Sequence, residues 1–493
     1  MRDELWLAAK TMTPAQVRLL DALSARLPAK AIVTERDVIA PWETDWRGRY
    51  HGHAPVLLAP ASTAEVVSIV TAAADFGVPL VPQGGNTSMV GGATPPADGS
   101  AAILSLRRMD RIRRLDAGGG LVVAEAGVVL QTLHEAALAQ GRRFPLTLGA
   151  RGSATIGGLV STNAGGTQVL RFGTMRALVL GVEAVLPDGG VHDGLAALKK
   201  DNRGYDLDQL LIGAEGTLGV VTAATLRLVP AAAGRAIAWL GVEGPEAALA
   251  LLRRLEASTD TIESFEIMPQ QAVGSVLAHL PALQPPLRTP CPWHLLVEAV
   301  SADHAAEPPA DLLARLLEPA LADGAITDAA IASSEAQAEA LWRIRDSISA
   351  AERARGPASQ HDIAVPVDAM PRFMIDTAAA CEARFPGTQA FGYGHLGDGN
   401  VHFHVRAPAG FDPATWYGRD VPAVTRFVDD LVVAAGGSIS AEHGIGQMKL
   451  AELERLGPLA RLAAMRAIKQ GLDPQGLFNP GKLVRLAPLP TLP

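Results

Sequence analysis

The chain has 493 residues, enough for two or three cores, and 48% of them are hydrophobic, so disorder is not the default. A formal net charge of −8 with only 4% aromatic residues excludes a nucleic-acid surface, which needs clustered basic charge and stacking rings. Two cysteines, Cys291 and Cys381, exclude a four-thiolate iron–sulfur cluster, an all-cysteine zinc site and a disulfide framework, and they favour a reducing compartment.

In chain order, the pattern predicts short helices over 14–27 and 35–47, a helical leader covering 1–50. Residues 63–76 carry Val66, Val67, Ile69, Val70 and Ala73 at helical spacing, and Gly77 ends the helix. A short buried strand over 78–81 follows, then a glycine-rich loop, 82–88. Short apolar or alternating runs at 102–106, 120–123, 177–186 and 219–228, separated by turn residues, predict a mixed α+β domain over 51–230. Beyond Pro230, strands at 237–242, 262–267 and 294–300 alternate with helices at 245–256, 269–280 and 309–322. Helices over 335–354 and 411–435 follow. That alternation predicts an α/β-type sandwich over 231–440, with 441–493 as a C-terminal segment. No repeat of 20–50 residues is present. No run of 18 apolar residues exists, so no spanning helix is expected, and residues 1–5 lack a signal-peptide layout.

Three glycine-rich segments lie in the first domain. Pro82-Gln83-Gly84-Gly85-Asn86-Thr87-Ser88 follows a strand, and consecutive glycines let several N–H groups converge on phosphate oxygens. With the chain acidic overall, backbone donors rather than lysine would neutralise such an anion. The bland reading is a hairpin loop with spare glycines. The second segment, 148–166, holds Gly149, Gly152, Ser153, Gly158, Thr162 and Gly165, small residues that let backbone approach something flat, or simply a tight helix–strand junction. The third, 212–221, holds Glu215, Gly219 and Val221. Three together suggest one extended nucleotide cofactor.

Gly392-Tyr393-Gly394-His395-Leu396-Gly397 matches the dinucleotide fingerprint G-x-G-x-x-G. That motif acts only between a strand and a helix, whereas Val401 to Val405 alternates as a strand, so NAD binding through it is rejected. Five of the twelve histidines fall in 361–443. His402 and His404 share one face of the 401–405 strand, with Val401, Phe403 and Val405 on the other. His395 lies seven residues before His402 across a glycine-rich turn, and Glu442 and His443 are adjacent. Two imidazoles and a carboxylate suit Zn²⁺ or Mn²⁺ with an open position; the same histidines also suit satisfied polar residues.

Together these segments, with Phe478-Asn479-Pro480-Gly481-Lys482, resemble the FAD-linked 2-hydroxy-acid dehydrogenases of the vanillyl-alcohol-oxidase / p-cresol methylhydroxylase superfamily, over about 51–485. The resemblance implies an α+β fold: a two-part FAD-binding domain of p-cresol methylhydroxylase type, a ferredoxin-like α/β-sandwich substrate domain, and a C-terminal helical segment returning to the flavin. It implies that loop 82–88 holds the FAD pyrophosphate. Gly149, Gly152, Ser153, Gly158, Thr162, Gly165, Glu215, Gly219 and Val221 would line the flavin and adenosine, with Asn479 near the flavin ring. It further implies His395, His402 and Glu442 as metal ligands, His443 as base, and Arg345 on the substrate carboxylate. Ser349, Gln360, Asn400 and His404 complete the substrate set. Loop 82–88 offers Asn86 and no His or Cys, so the flavin is expected to be noncovalent.

The hydroxyglutarate branch has a Lys at Gln360, an Asn at His404 and a Thr at Ser349. Losing that cation weakens the case for a dicarboxylate, so the expected activity is oxidation of a D-2-hydroxy acid, D-lactate and D-2-hydroxyglutarate included. Without cluster cysteines, electrons must pass to an electron-transferring flavoprotein, a quinone or a separate iron–sulfur subunit. The alternatives are an FAD subunit of a multi-subunit glycolate-type oxidase and a sugar or aldehyde oxidase. A cytoplasmic enzyme is expected, peripheral to a membrane only through its acceptor, with a homodimer left open.

Overall fold

The computed structural model describes residues 12–486, so the reading of residues 1–5 lies outside it. The chain forms two compact units, each assembled from separated stretches. The first takes residues up to 164, 174–230 and from 443 onward; the second takes 165–173 and 231–442.

The first unit begins with helix Pro14–Ser24, opened by a capping box in which Thr13 and Gln16 satisfy each other's backbone N–H. Its Leu19, Leu20 and Leu23 pack with Val66, Ile69 and Val70 of helix Thr63–Phe76. The helix expected over 35–47 is only one turn, Arg36–Ile39, and a 3-10 turn, Ala40–Trp42, because Pro41 removes a helical donor. Gly77 ends helix 63–76 in the left-handed region, and Val78 donates back to Ala73. The capping of this end delays the expected 78–81 strand to Leu80–Gln83. That strand is the edge of a four-stranded sheet in the order 32–33, 57–58, 102–105, 80–83, whose last three strands are parallel. The unit also holds a five-stranded antiparallel sheet (112–116, 121–125, 220–227, 179–185, 191–193) and a two-stranded ladder, 142–143 with 229–230.

Residues 477 and 478, near the end of the described chain, pack into this first core. Leu477 and Phe478 are buried there, and Phe478 bridges Leu80 in parallel. Lys469 Nζ donates to Asp473 at 2.5 Å and to the carbonyls of Thr217 and Phe478. Asp473 in turn accepts the N–H groups of Leu477 and Phe478. A buried ion pair with every valence used fixes the segment that carries Asn479.

The second unit is one seven-stranded antiparallel sheet in the order 328–331, 234–242, 293–301, 262–269, 389–395, 400–406, 358–364. One face buries Leu240, Phe265, Ile267, Val297, Val401, Phe403 and Val405 under helices Pro245–Glu256, Pro309–Ala322, Met370–Arg384 and Val421–Ala434. The other buries Ile237, Trp239, Leu296, Phe391 and Tyr393 under helices Gln270–His279, Glu335–Asp346 and Ile348–Ala354. The helix expected over 335–354 is therefore two helices, broken at Ser347, whose ψ is near zero. The one expected over 411–435 starts with a short turn, Pro413–Thr415, and a π-helical turn, Trp416–Asp420. Residues 392–397 end one strand of a hairpin whose partner is 400–406, so the fingerprint match has no helix after it. Both thiols are buried, which pushes Cys291 to about 11 and Cys381 to about 12. Among the described residues no helix is long and apolar enough to cross a membrane.

Candidate functional site

In the first unit, loop 82–88 is shaped by its neighbours. A Cβ on Gly84 would overlap Thr155 Oγ1, and one on Gly85 would overlap the Ser153 carbonyl oxygen. Only glycine lets these two backbones lie in contact. Asn86 adopts φ 54°. The Gln83 side chain donates to the carbonyls of Trp42 and Ala93, and Asn86 Nδ2 donates to Thr44 O, so both side chains tie the loop to the leader. Ser88 Oγ accepts from Gly92 N. Among the described residues, none of the N–H groups of Gly84 to Ser88 finds a protein acceptor. These residues are half-buried, and a run of adjacent unpaired donors of this kind fits an anionic ligand. Gly149 and Gly152 face open space, consistent with a cofactor lying along them.

The other expected cofactor contacts separate into two kinds. Thr162 Oγ1 donates to Gly158 O within helix Ile156–Thr162, Gly219 is packed against Leu211, and Val221 is buried in strand 220–227. Glu215, at φ 52°, accepts the N–H groups of Ile445 and Gly446, both at 2.7 Å. Its carboxylate thus pins the loop that follows His443. Burial raises its pKa, against those two hydrogen bonds and Lys449. Asn479 Nδ2 donates to Gly92 O and Glu215 O, while its buried Oδ1 has no partner among the described residues. That orphan acceptor again fits a missing donor.

In the second unit, adjacent strands place Asp362, His402 and Tyr393 in one cross-strand row, and Gln360, His404 and Phe391 in the next. Glu266 lies opposite His395. Ligand atoms of His395, His402 and Glu442 fall within 4.8 Å of one another. The rings of His395 and His402 are 5.4 Å apart and nearly perpendicular, and His395 Nε2 lies 3.8 Å from Glu442. Gly165 belongs to this unit, where a Cβ would meet the Glu442 carboxylate at 3.2 Å.

Two carboxylates that the sequence reading gives no role hold this cluster. Glu266 accepts from His395 Nδ1 at 2.6 Å and from Arg345 Nε at 2.7 Å. Asp362 accepts from Asn400 Nδ2 and from the Glu442 N–H. A fully buried acid inside the 262–269 strand is the signal that could have found Glu266, because such a charge needs a cation. Burial alone would lift the Glu266 pKa, but Arg345 and His395 hold it below the usual range. Burial opposes charge on His395, yet Glu266 lifts its pKa to about 9. Burial, with Asp362 and Asp398 close by, raises Glu442. Arg345 offsets one of the three carboxylates, and the two that remain beside the imidazoles suit a divalent cation.

Of the expected substrate contacts, Arg345 also touches the His395 ring at 3.2 Å and lies over Tyr393. Asn400 is committed to Asp362 and to Ile363 O. Ser349, half-buried, accepts from Arg353 one turn along its own helix. His443 follows Glu442 directly in the chain.

Residues 54–194 match the family model described as FAD binding domain, and 232–483 match FAD linked oxidases, C-terminal domain. The chain is 36% identical to the mitochondrial D-2-hydroxyglutarate dehydrogenase of Bos taurus over 94% of its own length and 83% of the relative's. It is 34% identical to D-2-hydroxyglutarate dehydrogenase of Xanthomonas citri pv. viticola, covering 95% and 98%. The structure of p-cresol methylhydroxylase superposes with a TM-score of 0.72 at 15% identity, over 96% of this chain and 97% of that one, which bears on fold alone. The chain therefore has the α+β fold of the p-cresol methylhydroxylase type and belongs to the FAD-linked 2-hydroxy-acid dehydrogenases, flavin-dependent oxidoreductases.

Proposed function

We propose that this chain oxidises a D-2-hydroxy acid to the 2-oxo acid, with FAD held noncovalently and a divalent metal, Zn²⁺ or Mn²⁺, at His395, His402 and Glu442. The observation that carries the reading is the convergence of those three ligand atoms in front of Glu266, in a chain whose relatives are named D-2-hydroxyglutarate dehydrogenases. When bound, FAD supplies the hydride acceptor, and the cation supplies a Lewis acid that acidifies the substrate hydroxyl.

The chain's own residues do the rest. Glu266 fixes the His395 ring and tautomer from behind, leaving Nε2 toward Glu442. Asp362 holds the Glu442 backbone in place. Arg345, held through its Nε, is assigned to the substrate carboxylate. His443 takes the hydroxyl proton, a role an imidazole fills near neutral pH. Glu215 holds the loop after His443 and so steadies that base. Electrons then leave for an electron-transferring flavoprotein or a quinone.

The test is anaerobic titration of metal-analysed enzyme with D-lactate, D-2-hydroxyglutarate, D-malate and glycolate. Bleaching of the flavin by one acid, with one metal per chain, is the expected result. A bound flavin that no hydroxy acid reduces, in metal-loaded protein, sinks the reading.

A further inference from the structure

A cavity of about 350 Å³ in the first unit is lined by Gly85, Ser153 and Thr155 together with Trp42 and Arg107. No feature of the sequence marks Arg107 or Trp42. The Arg107 guanidinium lies over the Trp42 ring, its Cζ 3.3 Å from the centroid, and its Nε donates to Ser105 Oγ. No carboxylate pairs with it among the described residues. Asp110, at the rim, is exposed and makes no ion pair with it. Thr155 Oγ1, buried in the same wall, has no partner among the described residues either. The Trp42 platform is itself fixed to the loop: Gln83 binds the Trp42 carbonyl and Asn86 that of Thr44. A half-buried arginine held over a ring, without an acid, shares this cavity with Gly85 of the loop and with an orphan hydroxyl, a lining that suits an anion.

We propose that Arg107, stacked on Trp42, supplies the positive charge that the amides of loop 82–88 lack, and neutralises the diphosphate of the bound dinucleotide cofactor. This rests on the reading of that loop as an FAD cradle. It assigns a purpose to the leader, whose residues 42–44 position the cation, and to Gln83 and Asn86, whose side chains face the leader.

The experiment follows FAD release from the full-length holoenzyme, by the rise in flavin fluorescence on dilution across a range of NaCl concentrations. In the unaltered protein release should quicken with salt, because a charge contact is screened. Arg107→Met should release FAD roughly 10–100-fold faster, the range for losing a charged hydrogen bond, and should flatten the salt dependence. Arg107→Lys should recover most of both, which a purely structural role would not. Unchanged release and salt slope in Arg107→Met overturn the proposal. If Arg107→Met fails to fold, salt-independent release from the unaltered protein overturns it equally. Inorganic diphosphate or ADP titrated into the holoenzyme should not bind. Binding that Arg107→Met abolishes would make the cavity a separate anion site and overturn the assignment to FAD. Enzyme that holds FAD in this way but oxidises no hydroxy acid sinks the proposed function and leaves this inference standing.

Discussion

Loop 82–88 and the sheet face around His395 each receive a ligand in the proposed reaction, and they are made of opposite materials. The loop presents backbone donors with no acceptor among the described residues, and the side chains of Gln83 and Asn86 are turned to scaffolding. The sheet face presents side chains, and behind them Glu266 and Asp362 are already engaged. A backbone site is specified by what cannot be there, a Cβ at Gly84 or Gly85. A side-chain site is specified by what stands behind each ligand. Substitutions should therefore uncouple the two: one loses flavin and keeps metal, the other the reverse.

The largest effect should come from a residue that belongs to neither support. His443→Ala is expected to lower kcat by roughly 10²–10⁴, the range for removing a general base, with FAD and metal content intact. Rapid-mixing flavin reduction measures it, and near-normal reduction would remove His443 from the base role. Gly85→Ala forces a methyl group into the Ser153 carbonyl, which is backbone and gives little. It should weaken FAD binding roughly 5–100-fold, on the order of the 1–3 kcal/mol cost of overpacking, while metal per chain is unchanged. Equal loss of both ligands would collapse the comparison into general unfolding.

Glu266→Gln attacks the other side. It should lower metal affinity roughly 10–100-fold with a normal flavin spectrum, as expected for an outer carboxylate behind a ligating histidine. Chelator competition gives the number, and full metal retention counts against His395 as a ligand. Gln360→Lys is a smaller change. It adds a cation in the row next to His402, and should raise the kcat/KM ratio of D-2-hydroxyglutarate over D-lactate by about tenfold, within the range for one charged hydrogen bond. An unchanged ratio would separate Gln360 from the substrate's distal end.

The two materials also explain what is legible in the sequence. The glycine segments, Asn479 and the alternation of His402 and His404 are local signals, fixed by backbone geometry and strand period. The partners behind the ligands are not local. Glu266 is 129 residues from His395, and Asp362 is 80 from Glu442. No periodicity connects such pairs. Likewise nothing in residues 165–173 announces that they join the second unit, with Arg171 paired to Glu263 and Leu170 against Gly397. Glu215 and Gly165 are cofactor contacts by resemblance, and no local pattern shows what else they touch. The structure puts the first on the Ile445 and Gly446 amides and the second beside Glu442.

His294 offers a control that touches neither ligand. It lies on the same sheet as His395, buried between Trp239 Nε1, which donates to its Nδ1, and the side-chain Oε1 of Gln270, 2.5 Å from its Nε2. Burial lowers its pKa from 6.5 to about 4. Between those values the unfolded chain binds a proton that the folded chain refuses. The part of the stability that depends on His294 is therefore full above about pH 6.5 and is lost as the pH drops toward 4. The total loss is about 3 kcal/mol, because each pH unit crossed between the two values is worth ~1.4 kcal/mol. Urea unfolding at pH 7 and pH 5 reads this, and His294→Gln, which keeps an acceptor for Trp239, should remove that part of the slope. The metal and flavin contents of the folded His294→Gln protein should match the unaltered chain at both pH values. If metal were lost along with the slope, the sheet's two polar regions would be one coupled network. Glu266 and Asp362 would then not suffice to describe what holds the metal-ligand cluster.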